Sequence, residues 1–260
     1  MTERTMLVTS IAPHNIQNQQ LAIASWQRLG FSVTSLNASS EIAQLKPAFK
    51  DVDFVTVQKD ALLDCGKPLV YLDDVIAFFR SNGSPVCGLI NSDIHLRATP
   101  GMIRYLIGQA KDSMVLFNRT DVDTIDQDAG EIYKHGFDAF LFDKSILDML
   151  TPTEFCLGQP WWDYWLASRF MKSPQSAPCR FSLKLAAFPF AVHVSHEKKW
   201  DHSGNYQKYG LIFAKILDPA TYNALNEQSA EMQRNSLHSL SINVAATVLL
   251  QAQWLSYIPK

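Results

Sequence analysis

Cysteine is scarce in this chain and never occurs as a C-x-x-C pair. The 260 residues include four cysteines, which are far apart: Cys65, Cys87, Cys156 and Cys179. This wide spacing is unlike the paired cysteines of zinc knuckles or disulfide-stapled small domains. It predicts reduced thiols and a cytoplasmic protein. Residues 1–6 also lack the apolar core of a signal peptide, which fits that expectation.

An excess of positive charge and a long apolar run are also missing. Lysine and arginine number 23 against 25 acidic residues, which gives a net charge of -2. Because nucleic-acid-binding proteins normally carry a basic surplus, no nucleic acid partner is expected. The most apolar late segment, 242–258, is interrupted by Asn243, Gln251, Gln253 and Ser256. It predicts a buried or surface-lying helix, and no transmembrane segment is expected.

Several common catalytic motifs are absent. The chain contains no G-x-G-x-x-G and no phosphate-binding P-loop, so neither a dinucleotide fingerprint nor a P-loop nucleotidase is indicated. G-x-S-x-G is missing, which disfavours a hydrolase with a nucleophile elbow. H-E-x-x-H is missing too, so no zinc protease helix is predicted.

What the chain does contain is a regular alternation of apolar strands and amphipathic helices. Hydrophobic residues make up 47% and charged residues 18%, enough for a substantial core. We expect strands at 5–11, 31–36, 52–57 and 86–90, separated by helices at 15–29, from Ser39 or Ser40 to Pro47, and at 69–80. This order predicts an α/β fold with a mostly parallel, Rossmann-like sheet covered by helices on both faces.

The second half is less regular. We expect helices at 101–110 and 160–170, and strands at 113–118, 138–142 and 185–194. From Pro219 onward the sequence is mainly helical. The domain prediction is therefore a catalytic domain over 1–218 with a helical C-terminal extension, 219–260, packed on it.

Two segments about a hundred residues apart carry metal-binding side chains. Asn91-Ser92-Asp93 follows the buried strand 86–90, at the sheet edge where ligands bind in such folds. His193 lies at the end of the predicted apolar strand 185–194 and His196 follows it, and Lys198, Lys199 and Trp200 come next. Carboxylate and imidazole bind divalent cations, and a lysine can neutralise a diphosphate. The alternatives are an Asx turn that ends the strand and a solvated basic loop.

Three further positions have two interpretations each. Asp163, within the aromatic run Trp161–Trp165, is either a general base beside sugar-stacking rings or an acid in the first turn of a buried helix. Asp138 either binds substrate hydroxyls or is satisfied by backbone amides. Arg119 serves either a phosphate or a structural ion pair.

The chain resembles a glycosyltransferase of the GT-A fold over about its first 200 residues. The resemblance is carried by MLVTSIAP, NIQNQQLAIASW, GLINSDI, GFDAFLF, GQPWWDYWL and FAVHVSHEKKW. It implies Mn²⁺ or Mg²⁺ and a UDP- or GDP-type sugar donor, with Asn91-Ser92-Asp93 in place of the fold's Asp-x-Asp motif. It further implies a late metal-binding histidine, His193 or His196, and Lys199 near the diphosphate.

The same resemblance implies the remaining site residues. Ser10, Asn37 and Glu41 lie where the fold holds the base and ribose, and Asp163 matches its acceptor-side acid. The implied reaction is transfer of a sugar to the hydroxyl of a glycan or other acceptor. Asp163 deprotonates that hydroxyl if the enzyme inverts, whereas Asp163 or Asp138 positions substrate if it retains.

Two other function classes stay open. Asn91, in place of an acid, is compatible with a nucleotide- or sugar-binding protein that has lost catalysis. A metal-dependent hydrolase would instead use a histidine-rich set: His193, His196, Asp201 and His202.

Overall fold

A large twisted sheet flanked by helices forms the body of the molecule. The structure, a computed structural model, describes residues 4–82, 84–171, 180–196 and 204–258. Among these residues the strands, numbered along the chain, are β1 (Met6–Thr9), β2 (Ser32–Asn37), β3 (Asp53–Thr56), β4 (Val86–Ile90), β5 (Ile94–Leu96), β6 (Ser113–Phe117), β7 (Thr120–Val122), β8 (Glu131–Ile132), β9 (Ala139–Asp143), β10 (Ser182–Ala186), β11 (Ala191–Val194) and β12 (Gln253–Leu255).

The helices cover both faces of this sheet. In the described part of the chain they are α1 (Ile16–Arg28), α2 (Ser39–Leu45), α3 (Leu62–Cys65), α4 (Leu72–Ser81), α5 (Pro100–Gln109), α6 (Trp162–Ser168), α7 (Asn205–Leu217), α8 (Pro219–Asn226) and α9 (Ala230–Gln251), with one 3₁₀ helix at Lys144–Met149. No helix among the described residues is long and apolar enough to cross a membrane.

The main sheet has eight strands in the order β12-β10-β6-β9-β4-β1-β2-β3. Every neighbouring pair is parallel except those of β9, which runs antiparallel to both β4 and β6. This confirms the predicted fold class, a mostly parallel α/β sheet with a helical C-terminal region. Because β9 is reversed, its first residues lie at the same edge as the last residues of β4 and β6.

Alternating side chains along the central strands form two apolar layers. On β4, Cys87 and Leu89 belong to the core cluster that contains α4, α6, α7 and α9, whereas Val86 and Ile90 belong to the cluster that contains α1 and α5. All five residues of β4 are buried, as expected for a strand covered on both faces. The strand therefore ends as a fixed support for Asn91–Asp93.

The predicted strand 185–194 is wrong. The chain there forms two strands, β10 in the main sheet and β11 in a second sheet of order β5-β11-β7-β8. Residues 187–190 separate them, and Phe190 packs edge-on against Phe117 at 5.0 Å between ring centroids. Pro189, which cannot donate to a strand ladder, lies within this break. The small sheet brings His193 beside the loop that follows β4.

Other boundaries also differ from the sequence prediction. The predicted helix 69–80 starts later, at Leu72, because Val70 and Tyr71 form isolated bridges with Asp60 and Cys156. Helix α7 was not predicted. The C-terminal region adds β12 to the edge of the main sheet, parallel to β10. Residues 219–258 therefore supply a strand as well as helices.

Gly88, in the middle of β4, tests how tightly this centre is packed. A methyl group there would overlap the Leu7 side chain and lie 2.9 Å from Leu141 Cδ2. We expect Gly88→Ala to lower the free energy of unfolding by about 1–3 kcal/mol, since overpacking a core forces side chains to shift. Urea denaturation followed by circular dichroism measures the change.

Gly108→Ala is the matched control. Gly108 lies on α5, and no atom lies within 4 Å of the position that a methyl group would take there. The same substitution at this position should stabilise the protein by about 0.5–1 kcal/mol, because alanine is a better helix former than glycine. Equal effects at both positions would contradict the packing argument.

Candidate functional site

The loop after β4 presents three polar side chains to different partners. Asn91 donates from Nδ2 to Asp138 Oδ1 at 2.8 Å, and its backbone N–H donates to the Asp138 carbonyl at 2.9 Å. Ser92 donates from Oγ to Gln19 Oε1 at 2.7 Å. Asp93 contacts the two histidines of the late segment. Asn91 and Ser92 therefore bond this loop to the Asp138 segment and to α1. The carboxylate of Asp93 is left with imidazole partners.

Asp93, His193 and His196 form a compact cluster of metal-ligating groups. One ligand atom from each lies within 4.8 Å of the others. Asp93 Oδ2 is 3.6 Å from His193 Nε2 and 3.2 Å from His196 Nε2. His193 is buried, while His196 is about one-third exposed, at 35% of its side chain. The cluster is thus reachable from solvent on the His196 side.

The charges in this cluster favour an ionised carboxylate. Burial alone would raise the pKa of Asp93, but hydrogen bonds and charge from His193 and His196 hold that pKa well below its usual range. Neighbouring His95 on β5 differs, because burial lowers its pKa to about 4. His95 Nε2 lies 2.9 Å from Asn18 Oδ1 and joins α1 to the small sheet.

A chain of charged side chains supports the cluster from behind. His193 Nδ1 lies 2.9 Å from Asp121 Oδ1, and Arg119 Nε donates to that oxygen at 2.7 Å. Arg119 Nη1 also donates to Asp138 Oδ1 at 2.9 Å. The guanidinium lies over the Tyr133 ring at 4.2 Å. Of the two interpretations of Arg119, the structure therefore has the ion pair.

Asp163 lies on the other side of the Asp138 segment. Its Oδ2 accepts from the Phe137 backbone N–H at 2.9 Å, and a Cβ on Gly136 would come within 3.0 Å of the same oxygen. Burial raises the pKa of Asp163 to about 7, and the nearby charge of Asp138 acts in the same direction. A carboxyl group with that pKa can exchange a proton near neutral pH.

The aromatic residues around Asp163 belong to the core. Trp161, Trp162 and Trp165 are all buried. Trp161, with a left-handed φ of 82°, donates from Nε1 to the Tyr206 carbonyl at 2.9 Å and stacks on Phe213 at 5.3 Å. These rings fix the start of α6 and leave no tryptophan face in this run to stack on a sugar.

The residues proposed for the nucleotide lie where β1 and β2 end. Asn37 donates from Nδ2 to the Ile11 carbonyl at 2.8 Å and to Glu41 Oε2 at 2.9 Å. Ser35 donates to Asn37 Oδ1 at 2.6 Å. Burial raises the pKa of Glu41. The buried Asn37 amide thus fixes the loop after β1, in which Ser10 is half-buried.

Gln19 on α1 joins this loop to the Asn-x-Asp loop. Its Oε1 accepts from the Ala12 backbone N–H at 2.9 Å as well as from Ser92, and its Nε2 donates to the Ala12 carbonyl at 2.8 Å. Gln19 and Asp121 were not predicted from the sequence, because each acts through partners that are distant in sequence. The available sequence signal for Gln19 was a polar residue at helical spacing with the apolar residues Ile16, Ile23 and Trp26.

The histidine-rich segment is described only in part. Lys199 lies outside the described residues, as do Lys198, Trp200, Asp201 and His202. The site therefore comprises three described groups at one sheet edge: the metal-ligand cluster, the Asp138 and Asp163 pair, and the loops after β1 and β2.

Comparison with known proteins finds similar solved structures, while no family model and no curated protein matches the chain. The mannosyltransferase PcManGT from Pyrobaculum calidifontis, in complex with GDP-mannose and Mn²⁺, is 11% identical, with a TM-score of 0.46 over 96% of this chain and 75% of that one. S. aureus TarS 1–349 is 8% identical, with a TM-score of 0.46 over 93% and 71%. Rv0371c from Mycobacterium tuberculosis H37Rv is 16% identical, with a TM-score of 0.44 over 80% and 98%. At these values the similarity assigns no activity to this chain.

The raised pKa of Asp163 predicts a dependence of stability on pH. Its folded-state pKa of about 7 exceeds the unfolded value of about 4, so the native state holds a proton that the unfolded state has lost between these values. Stability therefore falls as pH rises through this range. Between pH 5 and pH 8, the free energy of unfolding of Asp163→Asn should rise relative to that of the wild type by on the order of 2 kcal/mol, as measured by urea denaturation. A difference that stays constant with pH would contradict the assignment.

The contact between Asn91 and Asp138 predicts that an acid is not tolerated at position 91. Asn91→Asp would place a carboxylate against that of Asp138, to which the Asn91 amide now donates at 2.8 Å. We expect it to lower the free energy of unfolding at pH 8 by about 1–3 kcal/mol, as for an unsatisfied buried partner. Asn91→Ala, which removes the donor without adding charge, should cost less. The reverse order would contradict the argument.

Proposed function

We propose that the chain is a metal-dependent glycosyltransferase. It would move a sugar from a nucleoside diphosphate donor of the UDP or GDP type to a hydroxyl group of a glycan or other acceptor. The observation that carries the proposal is the convergence of Asp93, His193 and His196 within 4.8 Å at the sheet edge where β1, β2 and β4 end. Parallel sheets of this kind bind ligands beyond those strand ends.

The donor set fits a divalent ion. One carboxylate and two imidazoles suit a first-row transition ion better than Mg²⁺, which prefers oxygen ligands, so of the two ions that the resemblance implies, Mn²⁺ is the proposed cofactor. Asp93, His193 and His196 would hold it. When bound, such an ion supplies positive charge that offsets the charge of a leaving diphosphate.

The nucleotide would lie along the loops after β1 and β2. Ser10 and Glu41 are proposed to contact the base and ribose, while Asn37 shapes this pocket, because its amide is bonded to Ile11 and Glu41. Asn91 and Ser92 would shape the loop beside the diphosphate, because their side chains are bonded to Asp138 and Gln19. Lys199, in the segment after His196, is proposed as the cation beside the phosphates.

The acceptor would be activated by Asp163. Its pKa of about 7 suits a general base that takes the proton of a hydroxyl near neutral pH. This role applies to an inverting reaction; in a retaining one, Asp163 or Asp138 would position the substrate. Asp138 is suited to positioning, since Arg119 and Asn91 fix its Oδ1.

A metal-dependent hydrolase is the second candidate, because two imidazoles and a carboxylate also resemble the three protein ligands of catalytic zinc sites. It would use His193 and His196 with Asp201 and His202. A binding protein without turnover is the third. The three candidates differ in which metal and which nucleotide stabilise the protein.

Thermal unfolding with Mn²⁺, Mg²⁺ or Zn²⁺, each with and without UDP or GDP, tests the proposal. Ligands that bind only the native state raise the unfolding temperature, so Mn²⁺ with one nucleotide should stabilise more than either alone. Asp93→Ala should remove the metal-dependent increment and lower sugar transfer by at least about 100-fold, given the several kcal/mol that a catalytic ion supplies.

Asp51→Ala, an exposed carboxylate before β3, is the control and should behave like the wild type. Stabilisation by Zn²⁺ alone, with no effect of any nucleotide, would favour the hydrolase. Stabilisation by Mn²⁺ and nucleotide without turnover of any sugar donor would favour the binding protein.

A further inference from the structure

His193 is held by a carboxylate on its far side. Strands β11 and β7 are parallel, and their register sets His193 opposite Asp121. Neighbouring residues in register project from the same face of a sheet, which allows the 2.9 Å contact between His193 Nδ1 and Asp121 Oδ1. An ionised carboxylate can only accept a hydrogen bond, so Nδ1 is the donor.

This contact determines which ring nitrogen is available for a metal. When Nδ1 of a neutral imidazole carries the proton, Nε2 holds the lone pair. His193 Nε2 is the atom that lies 3.6 Å from Asp93 Oδ2. Because this contact is 3.6 Å and the one with Asp121 is 2.9 Å, a neutral ring keeps its proton on Nδ1, toward Asp121, and turns Nε2 toward the cluster.

Asp121 is itself fixed. Arg119 donates from Nε to Asp121 Oδ1 at 2.7 Å and is in turn anchored by Asp138 at 2.9 Å and by the face of Tyr133. A planar guanidinium that binds two carboxylates through separate nitrogens restricts both of them. The orientation of His193 thus depends on a rigid arrangement that extends away from the cluster.

We propose that Asp121 is a positioning residue of the metal site, which holds His193 in the tautomer and orientation that a divalent ion requires. This inference rests on the proposed function. Asp121 acts through His193 and touches neither substrate nor the ligand atom Nε2. Carboxylate partners of metal-bound histidines typically account for about 10–100-fold in metal affinity. The competing explanation is that Asp121 serves only as a structural partner of Arg119.

The test is the affinity for Mn²⁺ alone, measured by electron paramagnetic resonance titration of the full chain. We expect Asp121→Ala to weaken binding by about 10–100-fold. Asp121→Asn, which keeps an acceptor oxygen but loses the charge, should bind with an affinity between those of Asp121→Ala and the wild type. Asp123→Ala, which removes an exposed carboxylate two residues away, should leave the affinity unchanged.

A second readout separates positioning from stability. Nitrogen-15 NMR of the metal-free protein should find the proton of neutral His193 on Nδ1 in the wild type and shifted toward Nε2 in Asp121→Ala. A purely structural role would lower the free energy of unfolding and leave both the tautomer and the Mn²⁺ affinity of the folded protein unchanged, which would overturn the inference. If Asp121→Ala does not fold, Asp121→Asn decides by the same two measurements.

The wild-type titration keeps the two proposals distinguishable. If the wild type binds no divalent ion, the proposed function fails and the inference fails with it. If the wild type binds Mn²⁺ and the Asp121 variants bind it equally well, only the inference fails.

Discussion

The hydrogen bond between His193 and Asp121 is the contact on which the candidate site depends. It joins two strands of the small sheet, and it directs the far side of the His193 ring toward Asp93 on the loop after β4. The small sheet joins the two segments of the candidate cluster, because β5, which follows Asp93, pairs antiparallel with β11, which carries His193. Strand β4 of the main sheet leads into the loop that carries Asp93. Strand β11 of the small sheet carries His193 and leads to His196.

The charges behind this contact form a closed arrangement. Arg119 lies between two carboxylates, Asp121 and Asp138, and Asn91 bonds the second of these while belonging to the same loop as Asp93. Buried charges are costly unless each is paired and hydrogen-bonded, and a half-satisfied network is worse than an apolar one. The arrangement is therefore expected to respond as a unit. A substitution at Asp121 would also affect Arg119, which bonds Asp138 as well.

The sequence predicted the parts of this molecule that depend on local pattern. Strand β4 and the loop that follows it were placed correctly, because five buried residues in a row and an Asn-x-Asp stop are visible without knowledge of partners. Strand 185–194 was predicted as one element because Phe188 and Phe190 continue the apolar pattern across Pro189. The strands of two or three residues in the small sheet are too short to show any periodicity. Asp121 was missed for the same reason, since its partner His193 is brought to it only by the pairing of β7 with β11.

Asn91 shows why a motif compared position by position can mislead. By resemblance it stands where the GT-A fold has the first acid of its metal motif, and so it looks like a lost ligand. In the structure its amide is a donor, and the acceptor is Asp138, a buried carboxylate that also takes a hydrogen bond from Arg119. A carboxylate at position 91 could not donate, and a second cation would be needed to hold both acids together. The residue at position 91 is therefore set by Asp138, and two imidazoles accompany Asp93 where the Asp-x-Asp motif would supply a second carboxylate.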